Sequence, residues 1–195
     1  MTGSGLWLAP MKNLHMTTLE IMSARREAEV DEVATFLQTK APLRGIVDYT
    51  LAHRARLIRP IVSFDASAIA LGFLPAEEGY SYHHLRRDLY DVVSHAGCQI
   101  GARYTVPSAH VTIARFVVPV GEGRRAEIAE LLSQRVARVI DKIEDINCVL
   151  RSDDWERFGS PARGEWVVGQ EKGLELIKGR SWYGEGDRVV IGEGF

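Results

Sequence analysis

Apolar positions along this chain switch between a period of two and a period near 3.6, and the switches divide it into strands and helices. Residues 1–13, punctuated by Gly3, Gly5 and Pro10, predict an irregular lead-in. Leu14 to Ile21, rich in Thr and aliphatic side chains, predicts a strand. Ser23 then caps a helix to Lys40, with Val30, Val33, Ala34 and Leu37 at helical spacing. Pro42 opens another helix to about His53, with Leu43, Ile46 and Val47 inward. Leu57 to Phe64 and Ser67 to Leu74 predict a hairpin, in which Pro60 marks an edge or a bulge. A helix from about Ser81 to Ala96 carries Leu85, Leu89, Val92 and Val93 and stops at Gly97. The loop 97–107 leads into a strand from Ala109 to Val118. A long helix from Arg124 to Ile143 follows, with Ile128, Leu132, Val136, Val139 and Ile143 as its stripe. Strands are expected at Asn147 to Leu150, Glu165 to Val168, Leu174 to Ile177 and Arg188 to Ile191. The order β-α-α-β-β-α-β-α-β-β-β predicts an α+β protein of two antiparallel sheets with helices packed outside.

Composition refines this without changing it. With 195 residues, 46% hydrophobic and 26% charged, the chain supports one well-buried domain spanning residues 1–195. A formal net charge of −2 excludes a general nucleic-acid coating protein, which would be strongly basic. The local basic clusters at 53–59 and 83–87 read as solvated faces. The two cysteines, Cys98 and Cys148, make no CxxC and no disulfide framework. Both are expected to be small core residues in a reduced, intracellular setting, cytoplasmic or nuclear. No apolar run is long enough to span a membrane, so no membrane partner is expected.

The candidate chemistry lies in a repeat. Leu14-His15-Met16-Thr17 recurs as Ala109-His110-Val111-Thr112, each inside a β-prone run. Side chains two apart on a strand share a face, so each copy presents an imidazole beside a hydroxyl. Two such pairs facing each other across a cleft suit phosphoryl chemistry. One neutral imidazole takes a proton from the attacking oxygen, and a protonated one gives a proton to the leaving oxygen. The hydroxyls hold the non-bridging phosphate oxygens. A zinc site would need three or four His, Cys or carboxylate ligands at motif spacing, and neither His15 nor His110 has such neighbours. No metal and no other cofactor is therefore expected. Tyr104, Phe116 and Arg103 are further candidates for stacking on a base or meeting a phosphate, with Trp7, Tyr80 and Tyr82 behind them. Simple alternation puts Phe116 on the face of His110 and Thr112 and turns Arg115 away.

The doubled motif, with Trp7-Leu8-Ala9-Pro10 and Asn13 before its first copy, resembles the 2H phosphoesterase superfamily. These proteins are also called RNA 2′,5′-ligase-like or cyclic nucleotide phosphodiesterase-like, and the flanks of the first motif look like the fungal RNA ligase/cyclic nucleotide phosphodiesterase branch. The hairpin 57–74, the helix 81–96, Leu174 to Ile177 and Trp182-Tyr183-Gly184 fall where that family has them, so the likeness runs from about residue 6 to 195. It implies a bilobal α+β fold with two pseudo-symmetric lobes and a central cleft. It also implies metal-free cleavage of 2′,3′-cyclic phosphates on RNA ends or small cyclic nucleotides, with RNA ligase-like activity as an extension. His15 and His110 would be the acid/base pair, and Thr17 and Thr112 the phosphate holders. The partner would be a cyclic-phosphate nucleotide or an RNA 3′ end, and the protein a monomer. The alternatives are a non-catalytic nucleotide- or RNA-binding module that keeps the cleft, and a structural protein with core histidines. In one respect the chain departs from the family. Members carry a strand and a helix upstream of the first motif, whereas 14 residues precede His15 here. Those elements are expected to be missing, leaving a sheet edge unpaired.

Overall fold

The alternating run around His110 becomes the strand on which the N-terminal part of the chain is laid. The computed structural model describes residues 6–77, 79–101, 108–117, 125–152, 164–179 and 186–195. In chain order these form β1 (Leu6–Leu8), a 3-10 turn at Met11–Asn13, α1 (Glu27–Thr39), α2 (Leu43–Val47) and a 3-10 turn at Tyr49–Leu51. Then come β2 (Arg56–Phe64), β3 (Ala68–Pro75), α3 (Tyr82–His95), β4 (Ala109–Phe116) and α4 (Arg125–Arg151). The chain ends with β5 (Trp166–Val167), β6 (Glu175–Lys178) and β7 (Asp187–Ile191). β1-β4-β3-β2-β5 form one antiparallel sheet and β6-β7 a second, two-stranded one. The α+β class expected from the element order is what the chain adopts. Among the described residues, no helix is long and apolar enough to cross a membrane.

Among the described residues, the larger sheet has one face covered by helices and one, called open below, that joins neither helix-covered cluster, and two bulges decide which residues go where. In β2 the register shifts between Ile58 and Ile61, at Arg59 (φ 50°) and Pro60. This is the irregularity that Pro60 marks in the sequence. In β4 the pairing shifts between Thr112, opposite Ala70, and Ala114, opposite Ile69. Cross-strand partners share a face. Following them, Leu57, Val62, Ile69, Leu71, Phe73, Ala109, Val111 and Ala114 lie on one side. On that side α3 seats Tyr82, Leu85 and Leu89 against Leu57 and Ala109. α4 seats Ile143, with Val139 and Leu150, against Val62, Ile69 and Ala114. The other side carries Ile58, Ile61, Ala70, Gly72 and Leu74, none of which joins those clusters.

Several boundaries differ from expectation for identifiable reasons. Residues 14–21 are not a strand: only Met16 pairs, in a single antiparallel bridge to Val111. The regular pairing sits upstream at β1, where Leu6 lies opposite Phe116 and Leu8 opposite Ala114. Between them the chain steps out through Pro10 and the 3-10 turn, so β1 and Met16 are two contacts of one interrupted edge segment along β4. Residues 6–8 are thus the terminal strand of the larger sheet, beside β4. α1 starts at Glu27 rather than after Ser23, because Ala24 takes a left-handed φ of 52° and cannot continue a helix. The Arg26 amide donates to the Glu29 carboxylate and closes the first turn. The single helix expected over 42–53 is α2 and a 3-10 turn, broken at Asp48 (φ −92°, ψ 6°).

The strand expected at Asn147 to Leu150 is the last turn of α4, since Val139, Ile143 and Leu150 continue one helical stripe. As a result Cys148, expected in the core, is exposed, while Cys98 is buried. Asn147 has a specific task. Its Oδ1 accepts the Val62 amide at 2.7 Å and its Nδ2 donates to the Val62 carbonyl at 2.8 Å. β5 pairs only with Arg56 and Leu57, so Asn147 closes the edge of β2 beyond it. Asn147→Ala is expected to destabilise the protein by about 1–3 kcal/mol, because it strands a donor and an acceptor of Val62. Urea unfolding, read as a lower midpoint at unchanged slope, checks this.

Candidate functional site

The Met16–Val111 bridge brings the two His-x-Thr copies together. Antiparallel register on either side of it sets His15 beside Thr112 and Thr17 beside His110. Residues paired this way lie about 5 Å apart at Cα. Met16 packs into the covered core with Ala109, so its neighbours His15 and Thr17 turn the other way. His110 and Thr112 also turn that way, opposite Gly72 and Ala70. The four side chains form a square on the open face, imidazole diagonal to imidazole and hydroxyl diagonal to hydroxyl. All four are half-buried. Both motifs are therefore carried by one sheet and its edge segment; the two-stranded sheet carries neither.

Each imidazole is held by its Nδ1. His15 Nδ1 lies 2.8 Å from the Asn13 carbonyl oxygen. A carbonyl only accepts, so Nδ1 carries the proton and the neutral ring keeps its lone pair on Nε2. His110 Nδ1 lies 2.9 Å from Ser108 Oγ, a group that both donates and accepts. That contact therefore tolerates either tautomer and the imidazolium. From the sequence, Asn13 counts only as a flank of the first motif and Ser108 has no place. The signal was there: the repeat reaches one step further back, as polar-x-His-x-Thr at 13–17 and 108–112.

Helix α3 fixes the chain just after the first motif. The Tyr82 hydroxyl donates to the Thr17 carbonyl at 3.0 Å, and Arg86 Nε donates to the Thr18 carbonyl at 3.0 Å. The two donors are one helical turn apart, and Tyr82 is fully buried. Tyr82 is thus a tether and not the stacking surface considered from sequence. Tyr80 is likewise committed: its hydroxyl donates to Asp88 at 3.0 Å and its ring stacks near His84. Burial, then the bond to the Asp88 carboxylate, pushes the Tyr80 phenol well above its ordinary range, so it stays a donor.

The bulge in β4 reverses the expectation for Phe116 and Arg115. The extra residue inverts alternation, so Phe116 packs into the covered cluster with Leu6 and Ala114 and is not on the face of His110. Arg115, opposite Trp7 and Ala68, comes onto the open face instead. It lies near the β2–β3 turn, where Asp65 accepts from Ser67 N, Ser67 Oγ and Ala68 N at 2.7–2.8 Å. Those bonds, with a smaller contribution from Arg115, hold the Asp65 carboxyl below its usual range. Arg103 and Tyr104 lie outside the described residues.

Among the described residues, no three His, Cys, Asp or Glu side chains gather closely enough to hold a metal ion. The chain matches no family model, no curated protein and no solved structure.

Proposed function

We propose that the protein is a phosphodiesterase that opens 2′,3′-cyclic phosphates, on RNA ends or small nucleotides, by two-histidine acid/base catalysis without a metal. The observation that carries this is the register: one bridge sets two imidazoles and two hydroxyls as a diagonal square on an open sheet face. The proposed binding surface is this face of the larger sheet, on the side away from α3 and α4.

In the hydrolytic direction His15 is the base, because the Asn13 carbonyl fixes the tautomer whose Nε2 accepts a proton. Water, giving its proton to His15, attacks phosphorus. The bond to one ribose oxygen breaks, and His110, entering as the imidazolium, protonates that oxygen. The product is a phosphomonoester, and the two rings have exchanged protonation states. Thr17 and Thr112 donate to the non-bridging oxygens, whose charge rises in the transition state. Arg115 adds positive charge further along the same face.

The test is the pH dependence of kcat/KM for a nucleoside 2′,3′-cyclic phosphate in the presence of EDTA. A bell is expected, rising as the base loses its proton and falling as the acid loses its own. In residual activity, His15→Ala removes the rising limb and His110→Ala the falling one. A bell retained in both variants contradicts the assignment, as does complete loss of activity in EDTA.

A further inference from the structure

Gly72 sits in the interior of β3, opposite His110 on one side and Ile61 on the other. A glycine there weakens a strand, by about 0.5–1 kcal/mol against alanine, so its presence needs a reason. Backbone conformation is not the reason, since Gly72 is not among the glycines with positive φ. Crowding is not the reason either. A Cβ built on Gly72 would meet Ile61 O at 3.7 Å, Ala109 O at 3.9 Å and Ile61 Cγ2 at 3.9 Å, all ordinary contacts. The chain itself has room for a side chain. Gly72 pairs with Ile61 at the end of the β2 bulge, but the left-handed backbone there belongs to Arg59, on the other strand, so the bulge does not call for glycine at 72. What is left for a strand glycine is to let another molecule come close.

The neighbours say which part of a substrate that is. Opposite Thr112 stands Ala70, so both β3 positions beside the second motif are small. Beyond Gly72, on the same face, Ile61 is 45% and Leu74 51% exposed. Adjacent strands are about 4.8 Å apart, so Gly72 lies one spacing and Ile61 two spacings from His110, roughly 10 Å in all. A nucleoside projects from its cyclic phosphate in the same sequence, sugar first and base next. We infer that Gly72 and Ala70 are the floor of a nucleoside subsite, with the ribose over Gly72 and one face of the base on Ile61 and Leu74. The inference rests on the phosphate being held at the His-x-Thr square. It makes the protein selective for nucleoside cyclic phosphates over cyclic phosphates that carry no base.

The experiment compares two substrates, a nucleoside 2′,3′-cyclic phosphate and glycerol 1,2-cyclic phosphate, on the full chain and on Gly72→Leu, Gly72→Ala and Ile61→Ala. Gly72→Leu is expected to lower kcat/KM for the nucleotide at least tenfold more than for the glycerol compound, mainly through KM. Ile61→Ala moves the same ratio by a few fold. Thermal unfolding shows whether each variant is folded; Gly72→Ala, which fits without a clash, keeps the test decisive if the leucine variant is not. The inference is overturned if the wild-type protein turns over both substrates and the ratio stays unchanged in every folded variant. Should the wild type turn over neither substrate, the phosphodiesterase reading fails and the subsite fails with it.

Discussion

Replacing His15 or His110 by alanine is expected to lower kcat for a nucleoside 2′,3′-cyclic phosphate by about 10²–10⁴-fold, the usual worth of a positioned acid or base. The loss should fall on kcat more than on KM, because Thr17 and Thr112 remain to hold the phosphate. The double variant should be little worse than the worse single one, since acid and base act in one proton-relayed step. Folding should be nearly unaffected. Each ring is half-buried, and its Nδ1 bonds to the Asn13 carbonyl or to Ser108 Oγ. Such a bond is worth about 0.5–1.5 kcal/mol. Steady-state kinetics beside urea unfolding separates the two effects. A variant that loses several kcal/mol of stability while keeping its rate would mark the histidine as a core residue.

Leu85→Ala should do the reverse. Leu85 is fully buried on α3, in the cluster that joins that helix to Leu57 of β2 and Ala109 of β4. Truncation removes the transfer free energy of the lost carbons and leaves a cavity between helix and sheet, a cost of about 2–5 kcal/mol. That is a large part of the stability of an ordinary domain. The same helix tethers the first motif through Tyr82 and Arg86, so a loosened α3 also slackens residues 17 and 18. At a temperature where the variant is folded, the pH profile should keep both limbs. The measured change is a lower urea midpoint with an unchanged slope.

How much of this could be read from the chain depended on where each element finds its partners. The hairpin of β2 and β3, helix α3 and strand β4 carry their own periodicity, and they form within a residue or two of the expected bounds. Residues 14–21 have equally strand-like composition, yet extended chain becomes a strand only where another strand accepts its hydrogen bonds. β4 offers that at Leu6–Leu8 and again only at Met16. The two bulges differ in the same instructive way. Pro60 lacks an amide proton and so announces the first in the sequence. The second, at Ile113, has no Gly or Pro to mark it, and it exchanges the faces of Arg115 and Phe116. One unmarked residue was enough to choose the wrong neighbour of His110. At Asn147 a β-prone tetrapeptide joins a helix, because its apolar spacing continues that of Val139 and Ile143 and its amide completes the Val62 backbone. Local pattern places elements; the partner across the fold sets their limits.

The central claim is that the diagonal His-x-Thr square opens a cyclic phosphate. Phosphorus-31 NMR of a nucleoside 2′,3′-cyclic phosphate incubated with the protein in EDTA tests it most directly. The predicted result is replacement of the cyclic phosphate resonance by that of a phosphomonoester, at a rate that falls by about 10²–10⁴-fold with either His→Ala variant. A cyclic phosphate that binds the protein and stays intact, or a conversion rate indifferent to both substitutions, would contradict it.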